Sequence, residues 1–281
     1  MIRQDAVYWI KRAHREHWAI GMFNAHHLEA TQAIAAAADR ARAPVMLGTT
    51  MGGIRHVGLD YFVAMAEVAR RRTDVPLILH LDHGADLETV RACIESGFDS
   101  VMIDASTSSY DGNVELVRRV VALARRHGVG VEAQIGETLA EEGGEVIERK
   151  TTVEEAVKFV ADTGVDYLAV SIGNTPGKLG TGTEIDVPLV RALAAALPVP
   201  LVLHGGTSVP RATVASLIAA GVAKINIDAA VKGAFRAALV EAYGASDPVV
   251  DTRAPMARAR DLAVAAVEER IDWFGARGKA G

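Results

Sequence analysis

Short runs that are apolar on both alternating parities recur along the chain, separated by longer stretches of helical period. The first four are AIGMFN (19–24), PVMLGTT (44–50), PLILHLDH (76–83) and DSVMIDAS (99–106). The next four are GVGVEAQIG (128–136), VDYLAVSIG (165–173), VPLVLHGG (199–206) and VAKINID (222–228). Strands of this kind are covered on both faces. The intervening segments, among them LEATQAIAAAADRAR, DLETVRACIESG, NVELVRRVVALARRHG, TVEEAVKFVADTG and VPRATVASLIAAG, predict amphipathic helices. Several close on a glycine where a left-handed cap sits. Eight strands alternating with helices at a spacing of roughly 20–35 residues predict one (β/α)8 barrel of α/β class over 1–281. A doubly wound sheet fits less well, because it needs no eighth strand and opens on a Gly-rich dinucleotide loop that this chain lacks. After strand eight, AVKGAFRAALVEAYG predicts a helix. Residues 247–281 then form a Pro-marked extension with one more helix, either an oligomerisation arm or a cap on the barrel floor.

Composition narrows the function without naming it. The 281 residues are half hydrophobic and 23% charged, as in ordinary folded, water-soluble domains. A net charge of −5 with no basic patch leaves no electrostatic footprint for nucleic acid. The single cysteine, Cys93, excludes an internal disulfide and a Cys-rich metal site, and reads as helix core. The N-terminal segment has no continuous apolar region, and no run reaches the roughly 18 apolar residues of a membrane span. A cytoplasmic location is the expectation.

In such a barrel the active site lies at the C-terminal ends of the strands, so the residues that end each strand carry the chemistry. They are Asn24 and His26; Thr49 and Thr50; Asp82 and His83; Asp104 and Ser106; Glu132 and Gln134; Asn174 and Thr175; His204 to Ser208; and Asn226 with Asp228. Any one of these is ordinary turn chemistry. Eight polar strand ends at one rim point to a polar, metal-assisted site. HGGTS after strand seven, with NID after strand eight, places glycine amides and hydroxyls where barrels hold a phosphate. His83 and His204 are candidate ligands to one divalent ion, which leaves Asp82 as a proton carrier. His80, two residues earlier, reads as a structural or supporting group.

GMFNAH, LHLDHG, SVMIDAS, VEAQIG, SIGN, LVLHGG and KINID, in this order and spacing, resemble the class II, zinc-dependent fructose-bisphosphate and tagatose-bisphosphate aldolases over most of the chain. The resemblance implies a (β/α)8 barrel, a homodimer or homotetramer, that splits a phosphorylated ketose into dihydroxyacetone phosphate and an aldehyde. It implies Asp82 as acid/base at the aldehyde oxygen, and His83 and His204 as zinc ligands. Gly205, Gly206, Thr207 and Ser208 correspond to the phosphate cradle, Asn226 and Asp228 to the substrate-binding end of strand eight, and Asn24 and Thr49 to polar groups facing substrate. Glu145, or else Glu141 or Glu142, corresponds to a loop carboxylate that moves a proton. Zn²⁺ or another divalent cation would spread the negative charge of an enediolate, so no Schiff-base lysine is required.

Three departures qualify this. The position of the family's remaining zinc histidine is Pro176, in GNTPGK, and proline ligates no metal. Gln134 replaces an acid near the metal. Ser208 stands where the cradle usually has a glycine, whose backbone freedom is then lost. Gly177 and Lys178 remain as substrate-binding candidates, Lys178 offering a cation near the altered ligand position. Three functions stay open at this point: a metal-dependent aldolase, a metal-independent phosphosugar lyase or isomerase on the same barrel, and a non-catalytic phosphometabolite-binding relative. The polar rim of Asp82, Asp104 and Asn226 speaks against the last.

Overall fold

A computed structural model describes residues 4–140, 146–173, 185–244 and 251–281. The strands are β1 (Ile20–Asn24), β2 (Val45–Thr50), β3 (Leu77–Gly84), β4 (Ser100–Ile103), β5 (Gly130–Ile135), β6 (Glu137–Ala140), β7 (Val146–Arg149), β8 (Tyr167–Val170), β9 (Leu201–Leu203) and β10 (Val222–Ile227). Eight of them close into a parallel barrel in the order β1-β10-β9-β8-β5-β4-β3-β2, and these are the eight expected strands with trimmed ends. β6 and β7 pair antiparallel as a separate ribbon in the acid-rich segment, which the sequence pattern did not indicate.

The helices are α1 (Ala6–Arg15), α2 (Leu28–Ala41), α3 (Met51–Val57), α4 (Leu59–Arg70), α5 (Leu87–Glu95) and α6 (Tyr110–Arg125). They continue as α7 (Val153–Thr163), α8 (Val187–Ala196), α9 (Arg211–Ala220), α10 (Ala229–Tyr243) and α11 (Arg253–Trp273). Polar caps start most of them: Asp5, Thr50, Asp86, Ser109, Thr152 and Asp186 each accept a first-turn amide. Thr152 and Glu155 form a reciprocal capping box. α11 packs on α2 and α10 of its own chain through Ala259, Ala263, Val267 and Ile271, and Phe274 follows it into the core. No helix among the described residues is long and apolar enough to cross a membrane.

Register fixes which side chains enter the barrel. Gly48 is level with His80 and Thr50 with Asp82. His80 is level with Ser100, Met102 with Glu132, Glu132 with Tyr167, and Val202 with Lys224. Their side chains meet across the barrel, so this parity faces inward. Barrel interiors are ordinarily layers of branched apolar residues. Here Met22, Met46 and Ile78 share the interior with a sealed polar layer of His80, Ser100, Glu132, Tyr167 and Lys224, all 0% exposed. Charged side chains are this deeply buried only when paired.

Candidate active site

β3 brings two consecutive residues to one place, which a regular strand cannot do because neighbouring side chains alternate faces. The register shifts between Leu81 and Gly84, and His83 takes a left-handed backbone with φ 50°. This bulge turns His83 to the mouth beside the inward Asp82. Gly84 makes the tight return: a Cβ there would lie 2.6 Å from the Met102 carbonyl oxygen.

His83 Nε2 and His204 Nδ1 face each other at 2.9 Å. Their far nitrogens are held by carboxylates, His83 Nδ1 by Asp104 Oδ2 and His204 Nε2 by Glu132 Oε1, both at 2.7 Å. Ionised carboxylates only accept, so each far nitrogen carries the N–H and each near nitrogen presents a lone pair. Two lone pairs at this distance require a cation between them, a shared proton or a metal ion. Burial pushes His83 down, but its bond to Asp104 and the nearby carboxylates outweigh this and raise its pKa to about 8. Burial likewise works against ionising Asp104, yet the His83 bond brings it to about 2. Glu132 is held far below the usual carboxylate range against its burial, chiefly by Lys224 and His204.

Asp82, 4% exposed, completes a cluster with His83 and His204 whose ligand atoms lie within 4.8 Å of one another. Asn24 Nδ2 donates to Asp82 Oδ2 at 2.7 Å and Asn226 Nδ2 to Oδ1 at 3.0 Å. Desolvation would raise this carboxyl, but the fields of His83, His204 and Lys224 keep it below its ordinary value. Beneath, Lys224 Nζ lies 2.8 Å from Glu132 Oε2 and donates to Asn226 Oδ1 at 2.6 Å.

The donor set fits a divalent metal. Two imidazoles, each with its second nitrogen tied to a carboxylate, are the arrangement by which proteins orient metal-bound histidines. Gln134 takes no part among the described residues; its amide reaches Ser106 Oγ at 3.5 Å.

Gly205, with φ 65°, leads into a 3-10 turn over Gly206–Ser208, next to the end of β10. Ser208 sits in ordinary helical backbone and donates to the Gly205 carbonyl at 3.2 Å, so replacing a glycine there imposes no strain. Thr207 is half-buried in the same turn. Asp228 begins α10 and pairs with Lys232 at 2.6 Å, while its Oδ1 is buried without a hydrogen-bond partner. Asp228 and Asn24 line a cavity of about 210 Å³ at the mouth, with His26, Thr50, His56 and Lys232.

Thr49 requires a correction. It pairs with Leu81 on the outward parity and its hydroxyl packs against Gly53 of α3, so it does not face the site. Thr50, one residue on, lines the mouth and caps α3. Glu145, with Glu141 and Glu142, and Pro176, Gly177 and Lys178 lie outside the described residues. Sequence reasoning placed Glu132 among the strand-end residues without giving it a role, and did not name Lys224. Their signal was parity: each is a charged residue two positions before a rim residue, on the inward face of an apolar strand.

The family model for class II fructose-bisphosphate aldolase matches residues 4–279. The chain belongs to the class II fructose-bisphosphate aldolase family. It is therefore a carbon–carbon lyase acting by aldol chemistry. It is 36% identical to the fructose-bisphosphate aldolase of Thermus caldophilus, over 96% of this chain and 97% of the relative. It is 32% identical to the sulfofructosephosphate aldolase of Alkalicoccus urumqiensis, over 96% of each. The crystal structure of the YdjI aldolase from Escherichia coli K12 superimposes with a TM-score of 0.87 at 30% identity, covering 99% of both chains.

Proposed function

We propose that this class II aldolase cleaves and forms a carbon–carbon bond in a phosphorylated ketose, releasing dihydroxyacetone phosphate, with Zn²⁺ held by His83 and His204. The observation that carries this is the pair of imidazoles meeting at 2.9 Å with both outer nitrogens on carboxylates. When bound, the cation supplies a Lewis acid that stabilises negative charge on the substrate's carbonyl and hydroxyl oxygens. With the third family histidine replaced by Pro176, Asp82 is the remaining donor beside the pair. Both its oxygens are already engaged by Asn24 and Asn226, and we assign it the proton instead. Held ionised, Asp82 takes the proton from the hydroxyl at the aldehyde-side carbon during cleavage and returns it in condensation.

Phosphate binding falls to the turn Gly205, Gly206, Thr207 and Ser208, where backbone amides and hydroxyls gather beside β10. Asn24 and Asp228 offer unsatisfied buried acceptors to the hydroxyls of the sugar. Glu145 is proposed as the loop group that moves the carbon-bound proton, and Gly177 and Lys178 as further substrate contacts. The relatives named for fructose bisphosphate and for sulfofructose phosphate have a phosphorylated ketose in common, which supports the substrate class while leaving the far end of the sugar open. We further propose a cytoplasmic homo-oligomer; sedimentation velocity giving only a 29.7 kDa species would reject the assembly.

The deciding experiment incubates purified enzyme with a panel of ketose 1-phosphates and follows dihydroxyacetone phosphate by ³¹P NMR, alongside metal analysis. About one zinc per chain, with activity lost to a chelator and restored by zinc, is expected. Chelator-resistant turnover without bound metal overturns the metal assignment, and no cleavage of any ketose phosphate overturns the substrate class.

A further inference from the structure

A lysine and a glutamate that are both 0% exposed lie beneath the histidine pair, and the mechanism above uses neither directly. Lys224 and Asn226 are two residues apart on β10 and therefore share the inward face. Glu132 reaches the same point from β5, three places from β10 in the barrel order across β8 and β9. We propose that Lys224 is a positioning residue, whose single ammonium fixes both the Glu132 carboxylate that orients His204 and the Asn226 carboxamide that holds Asp82. The inference rests on the reading of His83 and His204 as metal ligands and of Asp82 as the proton carrier.

Donor chemistry makes the assignment specific. A carboxamide has two nearly equivalent orientations, one presenting oxygen and one presenting NH₂. An ammonium only donates, so Lys224 at 2.6 Å selects the Asn226 oxygen, and the NH₂ group is left facing Asp82 Oδ1. In the opposite orientation an oxygen would face the Asp82 carboxylate and an NH₂ would face the ammonium, two repulsive contacts in place of two bonds. The same ammonium sits 2.8 Å from Glu132 Oε2, which leaves Oε1 directed at His204 Nε2. His204 is thereby held with Nδ1 as its lone-pair nitrogen toward His83. One buried cation thus sets the orientation of a metal ligand and of the acid/base at once. A neutral side chain of similar length fills the space but selects neither orientation.

The test compares wild type with Lys224→Met, a substitution of similar volume, for zinc affinity by chelator competition and for kcat and KM at saturating zinc. Loss of a group that orients a ligand from behind typically weakens metal binding about 10–100-fold. Zinc affinity and kcat are each expected to fall at least about tenfold, with KM for the ketose phosphate changed less than about threefold. A second arm adds Asn226→Ala: because Lys224 acts on Asp82 through Asn226, kcat of the double variant should be no lower than that of Asn226→Ala alone. Folded Lys224→Met with affinity and kcat within about twofold of wild type overturns the proposal, as do independent, multiplying losses in the double variant. If Lys224→Met does not fold, Glu132→Gln/Lys224→Met removes the stranded charge and is compared with Glu132→Gln. A further tenfold loss of kcat supports the role, and equal kcat overturns it. A wild type that binds no zinc overturns the metal reading, and the kcat arms still judge Lys224.

Discussion

Asp82 is held by two amide donors while three cationic or ionisable neighbours keep it charged, so replacing its carboxylate by the near-isosteric carboxamide changes chemistry more than shape. Asp82→Asn is expected to lower kcat by about 10²–10⁴, the usual contribution of a positioned acid/base, while bound zinc stays within twofold of wild type. Retained turnover would remove the proton-carrying role, and lost zinc would make Asp82 a ligand. His80 behaves differently. Fully buried against Ser100 at 2.7 Å, with Lys224 adding to the effect of burial, its imidazole is depressed to about 3. An unfolded histidine titrates near 6.5. The unfolded chain therefore binds this proton first, and the stability His80 contributes is complete above pH 6.5 and drains as pH falls toward 3. The slope is roughly 1 to 1.5 kcal/mol per pH unit. Urea unfolding at pH 6 and pH 5 should show wild type losing about that much more than His80→Gln; equal losses would mean that His80 is not held neutral. At this scale sequence named Asp82, His83, His204 and Asn226 because they end strands in a barrel, where the site must be. Glu132 was legible only as one more strand-end residue and Lys224 not at all, because they sit inside apolar strands and only the cross-barrel register reveals that they meet.

β3 shows how an element converts sequence into geometry. Its first residues are sealed in the barrel wall, and its end departs from strand geometry just where two adjacent polar residues must share one side. Gly84 permits that departure, with no room for a Cβ between the Met102 carbonyl and Leu81. Gly84→Ala should destabilise the fold by about 1–3 kcal/mol, the range for overpacking a tight site, and weaken zinc binding by shifting His83. Urea midpoints and chelator competition read these two effects, and no change in either would mean that the bulge does not place His83. The eight barrel strands were visible in the sequence because burial on both faces makes both parities apolar, a pattern that depends on no partner. The β6–β7 ribbon was not visible, since two four-residue strands among acidic residues are too short to carry a periodic signal. Thr49 was assigned to the wrong face for a related reason: near a strand end, a one-residue uncertainty in parity exchanges the barrel mouth for the helix shell.

At the scale of the whole molecule, β3 and β9 stand four places apart in an eight-stranded closed barrel, on opposite walls. The His83–His204 contact therefore spans the mouth, and residues 121 apart in sequence become neighbours only once the barrel closes. A cation bound by both histidines ties opposite walls together and binds the unfolded chain far less well, so its affinity adds to folding stability. At a free zinc concentration of about 100 times Kd this linkage amounts to about 2.7 kcal/mol. For a chain of this size each kcal/mol moves the melting temperature by roughly 2–4 °C, so zinc should raise Tm by about 5–10 °C over the chelated enzyme. His204→Ala removes one wall's ligand and should abolish most of that shift. Asp104→Asn leaves both ligands in place and only weakens the support behind His83, so it should retain part of the shift. Equal melting temperatures with and without zinc in wild type would mean that the two histidines share a proton and hold no metal, which would move the charge stabilisation of the aldol step onto the protein's own groups.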